Sequence, residues 1–222
     1  MTHSDDDGMV MPPRVASAHV VLLPIFRKPE ERQQVMDYTE KLAQELRRTY
    51  YHHERIGVEI DTRDIGGARG WDWVKKGIPL RVEIGPRDIA ADQVFIGRRD
   101  QGNKGKFSLK REQFIAEIPK ILDDIQNALF DRALRFRDEN TCQISDSKEF
   151  YNFFTPQNKQ KPEIHGGFSH SLWCGDEGCE GKIKDDLNVT IRCLPFDQDP
   201  QEGRCIGCGQ PATQIAIFAK AY

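Results

Sequence analysis

Long apolar runs are missing from these 222 residues. The longest, Val20 to Phe26, is strand-sized and contains Pro24, so nothing approaches the roughly 20 apolar residues of a membrane span. A strong charge of either sign is missing too. The formal net charge is −3, with 30% charged residues and a mean hydropathy of −0.64, as in a soluble chain of one large or two ordinary domains. No global charge draws the chain to nucleic acid, although one basic face would be enough. There is no G-x4-G-K-[ST] loop and no G-x-G-x-x-G turn, which removes two common ways of cradling nucleotide phosphates. The histidines are scattered, with His52-His53 in a polar loop where solvation suffices. No Ser/His/Asp or Cys/His constellation can be assembled, so nothing supports catalysis within these residues. The N-terminus is acidic and polar, unlike a secretory leader, and a cytoplasmic location is expected.

Cysteine is scarce, six residues in all, but four of them form a pattern. Cys174 and Cys179 make a Cys-x4-Cys pair, and after 25 residues Cys205 and Cys208 make a Cys-x2-Cys pair. Paired cysteines on tight turns each supply two soft ligands to a tetrahedral Zn2+, and bound thiolates are deprotonated at neutral pH. Gly175, Gly178, Gly207 and Gly209 accompany the pairs, as backbone turning about an ion requires. Two disulfides would suit an oxidising compartment, and a redox Cys-x2-Cys would leave the other pair without a role. The expectation is one structural zinc ion on these four residues, with Cys142 and Cys193 as free thiols.

Residues 1–18 read as a terminal remnant and linker, with Asp5-Asp6-Asp7, Gly8 and Pro12-Pro13. Regular patterning begins at His19. A buried strand is predicted over 20–26, and a helix opening at Pro29 with Val35, Tyr38, Leu42 and Leu46 on one face and Arg47-Arg48 at its end. A strand at 57–60 and a short helix near 70–76 follow. Pro79 to Ile84 alternates with period two, Gly85-Pro86 ends that strand, and further strands are predicted at 93–98 and 105–109. From Arg111 to about Glu139, Phe114, Ile118, Ile121, Ile125, Leu129 and Phe136 mark a long amphipathic helix that contains Pro119. Strands alternating with helices over 19–120 indicate an α/β domain on a mixed sheet. Beyond Asn140, Phe150, Phe153 and Phe154 on a short helix, then Phe168, Trp173 and Ile215 to Phe218, suggest a small α+β domain around the metal. A core that small has use for a metal staple.

Recognition groups are densest between Arg81 and Asp100. Glu83 lies on a strand, Arg87 and Asp88 follow the Gly85-Pro86 turn, and Arg98, Arg99 and Asp100 end the next strand. Arginine donates two hydrogen bonds to guanine O6 and N7, carboxylates accept from amino groups, and Phe95 offers a stacking face for an unpaired base. The same residues would equally make a solvated sheet edge laced with ion pairs.

Pro12-Pro13-Arg14-Val15-Ala16, the stretch Lys76 to Asp88, the cysteine set and the terminal Phe218-Ala219-Lys220-Ala221-Tyr222 together resemble the C-terminal half of a prolyl-tRNA synthetase. The likeness is to the archaeal and eukaryotic-like form. It implies a class IIa anticodon-binding domain with a mixed five-stranded sheet over 19–120. A connecting helix and a small α+β zinc-binding domain would follow over 121–222. It implies tRNA(Pro) as partner, with anticodon contacts from Glu83, Arg87, Asp88, Arg98 and Arg99. It also implies a homodimer in the full-length enzyme, and ATP as substrate only there. Thr2 to Gly8 resembles the tail of the catalytic domain, with Ser4 where family members usually carry Gly. The ATP-holding arginine and the proline pocket would precede Met1, so the chain by itself should be inactive and lack the catalytic domain as a partner. Tyr222 would make an interdomain contact. A free-standing tRNA-binding accessory protein and an unrelated zinc-ribbon interaction module are the competing expectations.

Overall fold

The computed structural model describes residues 3–156, 158, 166–199 and 201–220, and the chain divides into two compact units, Met1–Ala133 and Leu134–Tyr222. In the first, β1 (Val20–Pro24) is followed by a 3-10 turn at Pro29–Glu31 and α1 (Arg32–Leu46). A hairpin of β2 (Tyr50–Tyr51) and β3 (Glu54–Arg55) precedes β4 (Val58–Ile60), α2 (Ala68–Lys76) and β5 (Leu80–Ile84). Then come α3 (Pro86–Ala90), β6 (Gln93–Arg98), β7 (Lys106–Lys110) and α4 (Arg111–Glu139), which runs through Pro119 as one element. The predicted strand at 20–26 stops at Pro24: Ile25 N still donates to Ile84 O of β5 at 2.8 Å, but the register with β5 ends at Pro24. The Gly85-Pro86 stop proves to be the start of a helix. Pro86 occupies its first turn, where the missing N–H costs nothing, and Asp88 Oδ2 accepts from Gly85 N at 2.9 Å.

The sheet has five strands in the order β4-β1-β5-β6-β7, a mixed sheet as expected. β1 runs parallel to β4 and β5, and β6 is antiparallel to β5 and β7. Two crossovers on opposite faces produce this order. Val35, Leu42 and Leu46 of α1 and Phe114, Ile118, Leu122 and Ile125 of α4 bury one face against Val20, Leu22, Leu80, Val82, Ile84, Val94 and Ile96. α2 covers the other face only near β1, where Trp73 packs on Val21, Leu23 and Ile78. Much of that second face stays open.

Residues 5–18, expected as a linker, are part of this unit. Met9 N and Met11 N donate to the carbonyls of Lys75 and Gly77, and Val10 is buried in the main core. The compact units divide at 133/134, within α4. The reason is apolar: Ile121, Leu122, Ile125 and Leu129 belong to the first core.

The second unit contains β8 (Thr141–Gln143), α5 (Ser147–Phe154), β9 (Phe168–Trp173), α6 (Glu177–Leu187), β10 (Val189–Cys193), β11 (Gly203–Arg204), β12 (Pro211–Ala212) and β13 (Gln214–Lys220). Four strands form a sheet in the order β10-β13-β9-β8, and β11 and β12 form a separate hairpin. Phe150 and Phe154, buried side chains of α5, pack with Ile183 of α6 and Phe218 of β13, and the Phe150 and Phe218 rings meet edge to face at 5.2 Å. Phe153 is left partly exposed. α6 was not anticipated, although Asp176 caps it by accepting from Cys179 N at 2.9 Å.

Candidate nucleic-acid interface and metal centre

Alternation along β5 builds the first site. Leu80, Val82 and Ile84 face the core, so Arg81 and Glu83 project from the open face. Register continues the surface: Arg81 lies opposite Gly97 and Glu83 opposite Phe95, and Phe95 in turn opposite Ser108 of β7. Three clefts of about 490, 210 and 500 Å3 open here, and Glu83 lines all of them. The first also holds Phe95, Arg87 and Asp88 with Arg27 and Lys28. The second holds Arg81, Trp71 and Lys106, and the third Arg32, Arg63 and Arg69. Among the described residues no ion pair or side-chain hydrogen bond engages the Glu83 carboxylate, so it stands among cations and remains free to accept. Burial draws the Arg81 pKa below its ordinary value, opposed by the charge of Glu83.

The predicted reading residues therefore separate. Glu83 and Arg87 share one cleft with Phe95, while Asp88 lines it and caps α3. Arg98 shares the strand parity of Val94 and Ile96, and its guanidinium is forked onto Asp100 at 3.0 and 2.9 Å. Arg99 is only 2% exposed. It donates to Asp5 Oδ2 and Oδ1 at 2.7 and 2.5 Å, to Gly8 O at 3.2 Å and to Val74 O at 3.0 Å. Its charge is used in tying down the N-terminal segment, although Arg98 and Arg99 both line the second cleft beside Glu83. Arg81 and Trp71, which do border Glu83, were not singled out from the sequence. Period-two alternation placed Arg81 beside Glu83, but only the fold brings Trp71 to that face. His52 and His53 are exposed on the β2–β3 turn, with His52 Nε2 3.1 Å from Asp123 Oδ1.

A second polar cluster braces the loop after β4. Asp61, 5% exposed, accepts from Arg63 Nη2 at 2.8 Å and from Trp73 Nε1 at 2.7 Å. The Arg63 guanidinium holds its carboxyl well below the usual carboxylate range. Arg69 ties the same loop to β1 by donating to Pro24 O at 2.7 Å and Asp61 O at 3.0 Å.

The second site lies where β9 ends, α6 begins and the β11–β12 hairpin turns. The sulfurs of Cys174, Cys179, Cys205 and Cys208 all lie within 4.8 Å of one another. Cys179 and Cys205 are 3.4 Å apart and Cys208 and Cys174 3.7 Å, near the ~3.8 Å that tetrahedral Zn–S bonds of about 2.3 Å demand. Gly207 leaves room for this approach, since a Cβ there would come within 2.6 Å of Cys179 Sγ. Burial and the neighbouring Cys205 push the Cys179 thiol up, and burial also raises Cys174. At Cys205 burial acts upward as well, but the backbone amides of Cys208, Gly207 and Cys174 outweigh it and draw the thiol down to about 7. All four are unbridged, and the cluster does not include Cys142 or Cys193. Four converging soft donors with one thiol already poised to ionise fit a metal ion. Tyr222 lies outside the described residues.

Residues 19–121 match the family described as "Anticodon binding domain", and residues 158–222 match "Prolyl-tRNA synthetase, C-terminal". The whole chain is 48% identical to 44% of the length of a proline–tRNA ligase from Protochlamydia amoebophila. It is 44% identical to 44% of that of Bdellovibrio bacteriovorus, and 44% identical to 43% of that of Rhodopirellula baltica. The chain thus spans less than half the length of the curated relatives it matches. With both domain matches in chain order and ligases aligned along its whole length, the chain is similar to the C-terminal portion of prolyl-tRNA synthetases.

Proposed function

We propose that the first unit reads the anticodon of tRNA(Pro) on the open face of its sheet. The observation that carries this is the position of Glu83, a carboxylate without a partner at the junction of three clefts rimmed by arginine and lysine. Proline anticodons share two consecutive guanines. Guanine N1 and N2 donate to a carboxylate, and O6 and N7 accept from arginine. Glu83 and Arg87 take those roles, Phe95 supplies a stacking face, and Asp88 holds the α3 turn that presents Arg87. Arg98 and Arg99 leave the reading set, because their guanidinium groups are engaged within the fold. The rim cations hold phosphates, which position RNA without reading it.

The four cysteines hold zinc, which here has no chemical step to perform and fixes two turns and a helix start as one body. In the full enzyme, an ATP-dependent ligase of the archaeal and eukaryotic-like form acting as a cytoplasmic homodimer, proline is activated and transferred by the portion of the relatives this chain does not match. The test is binding of tRNA(Pro) against the same tRNA with an altered anticodon, at one fixed salt concentration. Preference for the proline anticodon, lost in Glu83→Ala, supports the reading. Equal affinity for both RNAs removes it.

A further inference from the structure

Two features of the smallest cleft on the open face are unexplained by folding. Among the described residues the buried Nε of Arg81 has no hydrogen-bond partner, and Arg81 donates from Nη1 to Gly70 O at 3.3 Å. Trp71 of α2 is 47% exposed at the cleft edge. Its neighbour Trp73 differs in both respects: its Nε1 is bonded to Asp61 and its ring carries Lys76 at 4.4 Å. Single exposed aromatics are ordinary, but this one borders a space of about 210 Å3 with Arg81 and Glu83 in its lining and Lys106 beside them. Opposite Arg81, Gly97 has no side chain, and the Arg81 guanidinium lies across it, with Nη2 3.4 Å from where a Cβ would stand. The volume falls below the roughly 300–1,000 Å3 of drug-sized ligand pockets and suits one flat ring system.

A flat π-face, a buried donor wanting an acceptor, a free carboxylate wanting donors and a cation at the rim describe the surroundings of a single nucleobase with its phosphate. We propose that this cleft is a subsite for one unstacked base of the bound RNA. Trp71 is its stacking face, Arg81 and Glu83 bond its edge, and Lys106 meets the backbone. The assignment rests on reading this sheet face as the anticodon interface. It adds a base platform distinct from Phe95, which lines another cleft.

The experiment is a coupling cycle with the full chain and an anticodon stem-loop RNA of tRNA(Pro). Each loop nucleotide in turn is replaced by an abasic one, against the parent chain, Trp71→Ala and Trp71→Phe. Trp71→Ala should bind the intact loop about 5- to 150-fold more weakly, the worth of stacking one base, and Trp71→Phe should recover most of that. One abasic position should weaken the parent strongly and Trp71→Ala hardly at all. Thermal melting should be unchanged, because Trp71 is exposed. A Trp71→Ala chain within twofold of the parent, or one weakened with no position coupled, overturns the subsite, and if Glu83→Ala still loses anticodon preference the wider reading survives. A parent chain with no preference for the proline loop overturns both.

Discussion

The two units solve the same problem with different means. Among the described residues the first gathers 21 buried apolar side chains into one cluster on two helices and a five-stranded sheet, whereas the second gathers eight. Apolar burial contributes about 1.5–3 kcal/mol for each large side chain and must exceed the conformational entropy of ordering the chain. A core of eight leaves little surplus, and it is the unit with the small core that carries the four-sulfur cluster. The first unit invests polar groups instead in fixing loops around its open face, through Asp61, Arg69 and Arg99. One unit leaves a sheet face open, and the other gathers four sulfurs beside its small core.

Metal removal should break the comparison most visibly. A chelator, or Cys205→Ser, should cost the second unit on the order of 10 kcal/mol, the scale of structural zinc in small domains. Peptide-resolved hydrogen exchange should then show protection lost across 168–220 and kept across 20–130. Loss in both units together would mean that the units are not independent, and loss in neither that the small core is sufficient.

Next in size is Arg99→Ala, which removes a buried guanidinium and frees Asp5 and two backbone carbonyls. The expected cost is about 3 kcal/mol by urea unfolding of the first unit, at the low end for buried ion pairs because Asp5 is half-exposed. Arg99→Lys should recover little, since an ammonium cannot make the forked contact. An unchanged midpoint would return Arg99 to the pool of ligand-facing residues.

Glu83→Ala should leave the urea midpoint in place while removing about 1–3 kcal/mol of anticodon discrimination, read as the ratio of affinities for cognate and altered tRNA. A matching loss for both RNAs would make Glu83 a general electrostatic contact.

The smallest expected effect is on pH. His19 Nδ1 accepts from Gly57 N at 2.9 Å, and burial lowers the His19 pKa below its ordinary 6.5. The folded state therefore prefers neutral imidazole. Its contribution is complete above about pH 6.5 and is lost as pH falls from there towards the folded value, because the unfolded chain binds the proton first. Urea titrations between pH 7 and 5 should show this slope in the parent and a flatter one in His19→Asn, which keeps an acceptor near Gly57 N. Parallel slopes would assign the pH dependence to other groups.

Much of the candidate chemistry was legible because it is local. The cysteine spacing marked all four sulfurs of the cluster, and period-two alternation at Leu80 to Ile84 put Glu83 on the face away from the core. The 3.6-residue pattern of Phe114 to Leu129 likewise acts within a few residues. Less local features escaped. α6 has a capping Asp176 but a weakly patterned sequence, Glu-Gly-Cys-Glu-Gly-Lys-Ile-Lys, and two glycines hide a helix that Ile183 and Cys179 stabilise by burial. Arg98 and Arg99 carry the same side chain as Arg87, and no local pattern says which guanidinium will meet solvent.

By itself, then, the sequence determined the order and kind of most elements, the mixed sheet and the four-cysteine pattern, since periodicity, turn chemistry and cysteine spacing depend on near neighbours. Tertiary structure alone decided which charges remain available. Arg99 meets Asp5 across 94 residues, Trp71 reaches the cleft of Arg81 and Glu83 only because α2 packs beside that part of the sheet, and residues 5–18 join the first unit through carbonyls at Lys75 and Gly77. A charged side chain is recruited or released by whatever partner the fold carries within about 3 Å of it, and that distance is a property of the packed chain.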